Sequence, residues 1–437
     1  MAFPKLVKVR QEFPRPRIED VREELRNELR KEEISSRIKP GMRVAITAGS
    51  RGISGIDLIL RTLIEALKEA KVEPFIVPAM GSHGGATAEG QVAVLEGLGI
   101  TEELVGAPVY SSMEVMQLSE TKRGTPVYMD RLAAEADGVI LVGRVKPHTS
   151  FQAEVESGLC KMASIGLGKH QQALALHAYG VEGIRDYMTE VAEEVLNSGK
   201  VTFGIGIVEN AYEETAVLKA IPPDRIMDKE KELLKEAARL MPKLPVSDMD
   251  VLFVDELGKD YSGTGIDTNV IGRFRILGIE EPASPNVKYV IVSAISEKSL
   301  GNANGMGLAD FSTRRFFENV DLDITNQNVL TSTFVERAKV PMILDNDREA
   351  LEAAIRCNWG VAPEDTRFVR IPNTLELRQV YLSENLVEEA LEAGNVEVID
   401  EASGFQFGDD GYFVGFSEDT GRAVRASSEP GDGLYAD

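Results

Sequence analysis

Apolar residues recur along this chain in two periods, and the places where the period changes outline its elements. Over 18–38, Ile18, Val21, Leu25 and Leu29 stand among alternating charges, a narrow apolar stripe that predicts a surface helix. After the turn Lys39-Pro40-Gly41 come a β-rich run over 43–47, a helical stretch over 56–71 and a further apolar run over 74–80. That succession reads as a βαβ unit and implies a parallel sheet. The alternation goes on with a helix over 88–98, strands near 125–129 and 138–142, and helices near 171–178 and 181–196. The expected result is a Rossmann-like, doubly wound α/β layer whose ligands bind beyond the carboxyl ends of the strands.

A helix over 230–241 leads into 242–248, whose two prolines predict a linker. A second α/β domain is expected beyond it, with strands over 251–254, 289–294, 367–371 and 375–382 and helices near 313–319 and 348–358. The expected domains are therefore 1–245, carrying the cofactor and the catalytic residues, and 246–417, closing a cleft with the active site between the two. The stretch 418–437 is rich in Ser, Gly, Asp and Glu and is expected to be a disordered tail.

Composition narrows the partners. At 437 residues, 43% apolar and 27% charged, the chain has the balance of a globular protein large enough for two cores. Its formal charge of −23 repels nucleic acid and anionic lipid, so neither is an expected partner. An anionic ligand then needs a site built locally from helix N-termini, backbone amides or individual cations. Cys160 and Cys357 form no CxxC pair and no disulfide framework, which favours a reducing compartment. No apolar run approaches the roughly 20 residues of a membrane span, and the opening residues hold no continuous apolar stretch. A cytoplasmic protein is expected.

Histidine is scarce, and each of the four stands beside glycine near an element end. His83 lies in Gly81-Ser82-His83-Gly84-Gly85, after one apolar run and before a helix that Thr87 can cap. His148 follows the clearest strand, in Arg144-Val145-Lys146-Pro147-His148. Two imidazoles at neighbouring strand ends can face one ligand from opposite sides, and an ordinary pKa of about 6.5 suits both proton removal and return. Glu156-Ser157-Gly158-Leu159-Cys160-Lys161 holds a lysine suited to phosphate binding or covalent attachment, and Gly166-Leu167-Gly168-Lys169-His170 opens the helix that carries His177. Arg51, in Gly49-Ser50-Arg51-Gly52, can grip a carboxylate with both ends of its guanidinium. The glycine spacing there is not that of a dinucleotide fold.

Taken together these segments, over roughly 47–177, resemble the nickel-pincer-nucleotide-dependent lactate racemase family of 2-hydroxy-acid racemases and epimerases. The resemblance implies that His83 and His148 are the alternating general base and acid. It implies that Lys161 is the residue to which the pyridinium bisthiocarboxylic acid mononucleotide is tethered, and that His177 is the nickel ligand. It matches Arg51 to the arginine near the substrate carboxylate. Ser50, Gly49, Gly166 and Gly168 are the further residues expected against the cofactor. Proton-coupled hydride transfer through a planar 2-keto acid is the implied chemistry. Ala48 stands where an acidic residue is usual, and Gly158-Leu159-Cys160-Lys161 replaces Gly-Gly-Arg-Lys, which implies substrate contacts of this chain's own. A sugar acid or dicarboxylate is expected rather than lactate, with Asp255, Lys259, Asn269, Arg273, Asn302 and Asn304 as candidates from the second domain. Cofactor-synthesis proteins are implied partners, and a homo-oligomer is compatible with the sequence.

Two other readings stand beside this one. His83, His148 and His177 can bind zinc and activate water for hydrolysis. The chain can also be a non-catalytic protein that binds a nucleotide or small anion.

Overall fold

The structure is a computed structural model and describes residues 3–414. Successive residues of its central strands face opposite apolar layers. In the strand Arg43–Ala48, Ala45 enters one cluster while Val44 and Ile46 enter another. A strand buried on both faces needs helices on both faces, and that is the arrangement found.

Among the described residues there are fifteen strands: β1 (Leu6–Gln11), β2 (Arg43–Ala48), β3 (Glu73–Pro78), β4 (Val115–Glu120), β5 (Pro126–Asp130), β6 (Gly138–Arg144), β7 (Val201–Glu209), β8 (Thr215–Ile221), β9 (Asp248–Leu257), β10 (Asn286–Ile295), β11 (Phe311–Thr313), β12 (Met342–Leu344), β13 (Phe368–Ile371), β14 (Gln379–Ser383) and β15 (Val396–Val398). One sheet runs β3-β2-β6-β7-β8, parallel except for β8. The other runs β12-β11-β10-β9-β13-β14-β1-β15, parallel from β12 to β13 and antiparallel beyond. The mixed α/β class expected from the sequence is the one observed.

Several local expectations differ from what is found. The first segment, 1–245, was expected to stay with the first sheet, yet β1 pairs with β14 over Leu6 to Arg10 and belongs to the second. Its alternating Leu6, Val7 and Val9 fill the second domain's core. The strand expected near 125–129 is β5, which joins only β4 in a ribbon outside the main sheet. The periodicity assigns no element to 197–229, but β7 and β8 lie there. The glycines of β7 hide its strand character: Leu159 and Leu233 occupy the space where Cβ atoms on Gly204 and Gly206 would stand. The predicted tail over 418–437 falls outside the described residues. No helix among the described residues is long and apolar enough to cross a membrane.

Candidate active site

The loops that follow β2, β3 and β6 leave adjacent strands at their carboxyl ends, and they carry Arg51, His83 and His148. The His83 loop is fixed by backbone crossing. A Cβ on Gly84 would stand 2.5 Å from the Gly90 carbonyl carbon, and one on Gly90 would stand 1.9 Å from the Gly84 oxygen. Only glycine at both positions lets the loop lie on the helix Ala88–Gly97. Thr87 caps that helix as expected, its Oγ1 accepting from the Gly90 amide at 3.0 Å.

Behind the loop, buried Gln91 donates to the carbonyls of Gly81 at 2.9 Å and His83 at 3.3 Å, and accepts from Lys169 Nζ at 3.1 Å. Lys169 is wholly buried, ion-paired with Asp130 at 3.1 Å and bonded to the Pro78 carbonyl. Gly166 and Gly168, expected against the cofactor, take part in this packing. A Cβ on Gly166 would meet the Ala79 oxygen at 2.9 Å and one on Gly168 would meet Gln172 Cβ at 2.3 Å. Their glycine character is required by neighbouring protein. Gly49 and Ser50 lie at the end of β2, and Ser50 Oγ makes a short hydrogen bond with His83 Nδ1. Desolvation by the surrounding protein, followed by the charges of Arg51, Lys259 and Lys161, holds the His83 imidazole well below its ordinary 6.5, although the residue keeps an exposed surface.

His148 is held on every side. Its amide donates to Glu156 at 2.6 Å and its carbonyl accepts from Asn269 Nδ2 at 3.2 Å. Its ring stacks on Phe151 with centroids 4.4 Å apart, Nδ1 accepts from the Ser150 amide at 3.1 Å, and Nε2 lies 3.0 Å from Lys161 Nζ. Burial, then Lys161, Arg337, His177 and Lys146, keep it well below 6.5. Lys161 sits in the short helix Leu159–Lys161, which continues as a π-helical turn over Met162–Gly166. Burial and the charges of Arg51 and Lys146 lower its amine from 10.5 to about 8. His177 ends the helix Lys169–His177; burial and then the Lys161 charge lower it to about 4. Its buried Nδ1 has no hydrogen-bond partner. An orphaned imidazole nitrogen of this kind is suited to a metal, so the residues present fit a nickel ligated by one histidine. Among the described residues no three His, Cys, Asp or Glu side chains converge to hold a metal ion, so the zinc reading finds no ligand cage.

The second domain supplies cations. Arg51 Nη1 reaches across to the Lys259 carbonyl at 3.2 Å and pairs with no carboxylate among the described residues. Lys259 Nζ donates to Asn328 Oδ1 at 2.9 Å and to the Gly263 carbonyl at 2.5 Å; burial, Arg51 and Arg337 lower it to about 7. Arg337 is buried and binds the loop after His148, donating to Ser150 Oγ at 3.0 Å and the Thr149 carbonyl at 2.6 Å. Lys146 lies 3.7 Å from Asp267.

Of the six second-domain candidates, Lys259 and Asn269 reach the site, and Asn304 supports Asn328 with a 2.9 Å bond. Asn302 shapes a turn by accepting from the Asn304 amide. Asp255 is instead committed to Arg370 at 2.7 Å and 2.8 Å, and Arg273 to Asp310 and three carbonyls, so both are struts of the fold. Arg337 and Asn328 were not found from the sequence. Lys146 carried a signal, two positions before His148 in the strand-end run.

Comparison with known proteins bears on the fold and on the first segment. Residues 7–183 match the family described as the lactate racemase N-terminal domain. The fold matches the lactate racemase apoprotein from Thermoanaerobacterium thermosaccharolyticum at 12% identity and a TM-score of 0.50, covering 85% of this chain and 98% of that one. Among curated proteins no relative matches. Residues 7–183, which carry Arg51, His83, His148, Lys161 and His177, are thus similar to the lactate racemase N-terminal domain, in a chain whose fold is similar to that of a lactate racemase.

Proposed function

We propose that the chain is a racemase or epimerase that inverts C2 of a 2-hydroxy acid, with a nickel-pincer nucleotide joined to Lys161 and ligated by His177. The observation that carries the reading is that Lys161 Nζ lies 3.0 Å from His148 Nε2 while the buried Nδ1 of His177 has no hydrogen-bond partner. When bound, the cofactor supplies an acceptor for the C2 hydride. The chain's own residues do the rest. Arg51 and Lys259, cations without a carboxylate partner among the described residues, hold the substrate carboxylate. His83, kept uncharged, takes the hydroxyl proton on one side, its ring oriented by Ser50. His148 serves the opposite hand, because each base reaches only one face of a planar centre.

The substrate is a larger or more polar acid than lactate, such as a sugar acid or dicarboxylate. Supporting this are Ala48, the Leu159-Cys160 sequence before Lys161, and the additional charge of Arg337. The reading requires partner proteins that make the nucleotide. Protein co-expressed with them should carry a mass adduct on Lys161 and bound nickel, and should exchange C2 hydrogen in a screen of 2-hydroxy acids in deuterated water. Adduct-bearing protein that exchanges none of these acids would leave the reading without support.

A further inference from the structure

We infer that Asn328 is a specificity residue of the proposed site, its amide N–H reading an uncharged oxygen on C3 of the substrate, so that the acid taken is a sugar acid rather than a dicarboxylate. Asn328 lies in the helix Leu322–Ser332 and is half-buried. Its Oδ1 accepts twice, from Lys259 Nζ at 2.9 Å and from Asn304 Nδ2 at 2.9 Å. An ammonium has hydrogens and no lone pair, so the atom that faces Lys259 is the oxygen. The Nδ2 end is therefore turned from both donors, and it donates to no group among the described residues. Asn304 is buried and keeps its own Oδ1 without a partner, while its Nδ2 is spent on Asn328. An unsatisfied buried oxygen is a cost to the fold, and the bond kept beside it is the one that orients Asn328.

A chain of contacts joins Asn328 to Arg51. A Cβ on Gly263 would stand 3.3 Å from Arg51 Nη2, the Gly263 carbonyl accepts from Lys259 Nζ at 2.5 Å, and Lys259 in turn donates to Asn328. Two of the three ammonium hydrogens are used within the protein, and one is left for a ligand. Arg51 spends one donor, on the Lys259 carbonyl. Together the two cations answer one carboxylate. The amide beside Lys259 is then left for a further oxygen of the same molecule, and lactate, whose C3 is a methyl group, offers none.

The other cations decide whether that oxygen carries charge. Arg337 spends Nε and Nη2 on the Phe274 carbonyl, Nη2 also on the Thr149 carbonyl, and Nη1 on Ser150 Oγ. Lys146 stands 3.7 Å from the Asp267 carboxylate, and Lys161 faces His148. Among these residues no cation is left to answer a second carboxylate, and a carboxylate set against a neutral amide costs far more to desolvate than a hydroxyl does. A hydroxyl oxygen accepts the Asn328 N–H without that penalty. The inference rests on the proposed function for the placing of the substrate carboxylate between Arg51 and Lys259.

Calorimetry on the full cofactor-free chain tests it with three acids: 2,3-dihydroxypropanoate, the smallest with a hydroxyl on C3, lactate and malate. Wild type should bind the dihydroxy acid about three- to tenfold more tightly than lactate, the weight of one ordinary hydrogen bond. Malate should bind no more tightly than the dihydroxy acid. Asn328→Asp keeps the oxygen that Lys259 and Asn304 hold but sets an acceptor where the N–H stood. It should weaken all three acids and erase the preference for the dihydroxy acid over lactate. Equal wild-type affinity for those two, no measurable binding of either, or a preference that survives in Asn328→Asp overturns the role of Asn328. Malate bound most tightly overturns the uncharged oxygen. None of these measurements uses turnover, so a failed racemase reading would appear separately, as absent C2 exchange in adduct-bearing protein.

Discussion

The two walls of the site are made differently. On the first, Arg51, His83 and His148 each sit in a loop that directly follows a parallel strand, and backbone contacts aim them. On the second, Lys259 also follows a strand, but Arg337 and Asn328 come from helical segments far along the chain from the carboxyl end of the preceding strand. The partners of Lys259 and Arg337 are carbonyls, an amide side chain and a hydroxyl, not carboxylates. The first wall supplies direction, and the second supplies uncompensated charge within a chain whose net charge is −23. Function on one wall should therefore fail by loss of rate, and on the other by loss of affinity.

The largest effect tests the first wall. His83→Asn and His148→Asn should each lower the rate of C2 exchange by about 10²–10⁴-fold, the usual weight of a general acid or base. Adduct formation on Lys161 should survive in His83→Asn. Exchange within a factor of a few of wild type in either variant would break the contrast between the walls.

On the second wall, Lys259→Met should raise KM by about 10–100-fold and change kcat less, because a hydrogen bond to a charged group contributes about 1.5–3 kcal/mol. The same lysine predicts a pH dependence. Burial, then Arg51 and Arg337, lower it to about 7, so it is charged below that pH and uncharged above. KM should be flat on the acid side and rise as pH passes upward through about 7. Lys259→Arg, whose side chain stays charged, should flatten the rise. A kcat that falls instead, with KM level, would place Lys259 among the groups that handle protons.

Legibility in the sequence follows the same division. The βαβ alternation and the glycine-bounded histidines were readable because strand-end placement leaves local marks: an apolar run, a glycine, a cap such as Thr87. The thiolated cofactor, the role of Lys161 and that of His177 came from family resemblance, since spacing alone does not assign them. Arg337 left no mark, because its partners Thr149 and Ser150 are 187 or more residues away and one is a backbone carbonyl. The strand β1 escaped for the same reason, pairing with a segment some 370 residues later. Gly166 and Gly168 show how a glycine's packing role is hidden in the sequence. Their glycines resemble a ligand-binding loop, but the close approach they permit is to Ala79 and Gln172.

The smallest effect sharpens how the first wall is aimed. Gln91→Leu keeps the volume but removes the bonds to the Gly81 and His83 carbonyls and one acceptor from buried Lys169. Leaving such groups partly unsatisfied costs about 1–3 kcal/mol in stability. Thr87→Ala loses the cap bond, about 1 kcal/mol, together with the exposed bond that its Oγ1 donates to the Gly84 carbonyl at 3.2 Å. Thermal unfolding should rank the two in that order, yet C2 exchange should separate them more clearly. If Gln91 aims His83, its replacement lowers kcat while Thr87→Ala leaves it near wild type. If both variants lose stability and neither loses rate, the crossing of Gly84 over Gly90 suffices to place the imidazole, and the buried Lys169-Gln91 pair serves the fold alone.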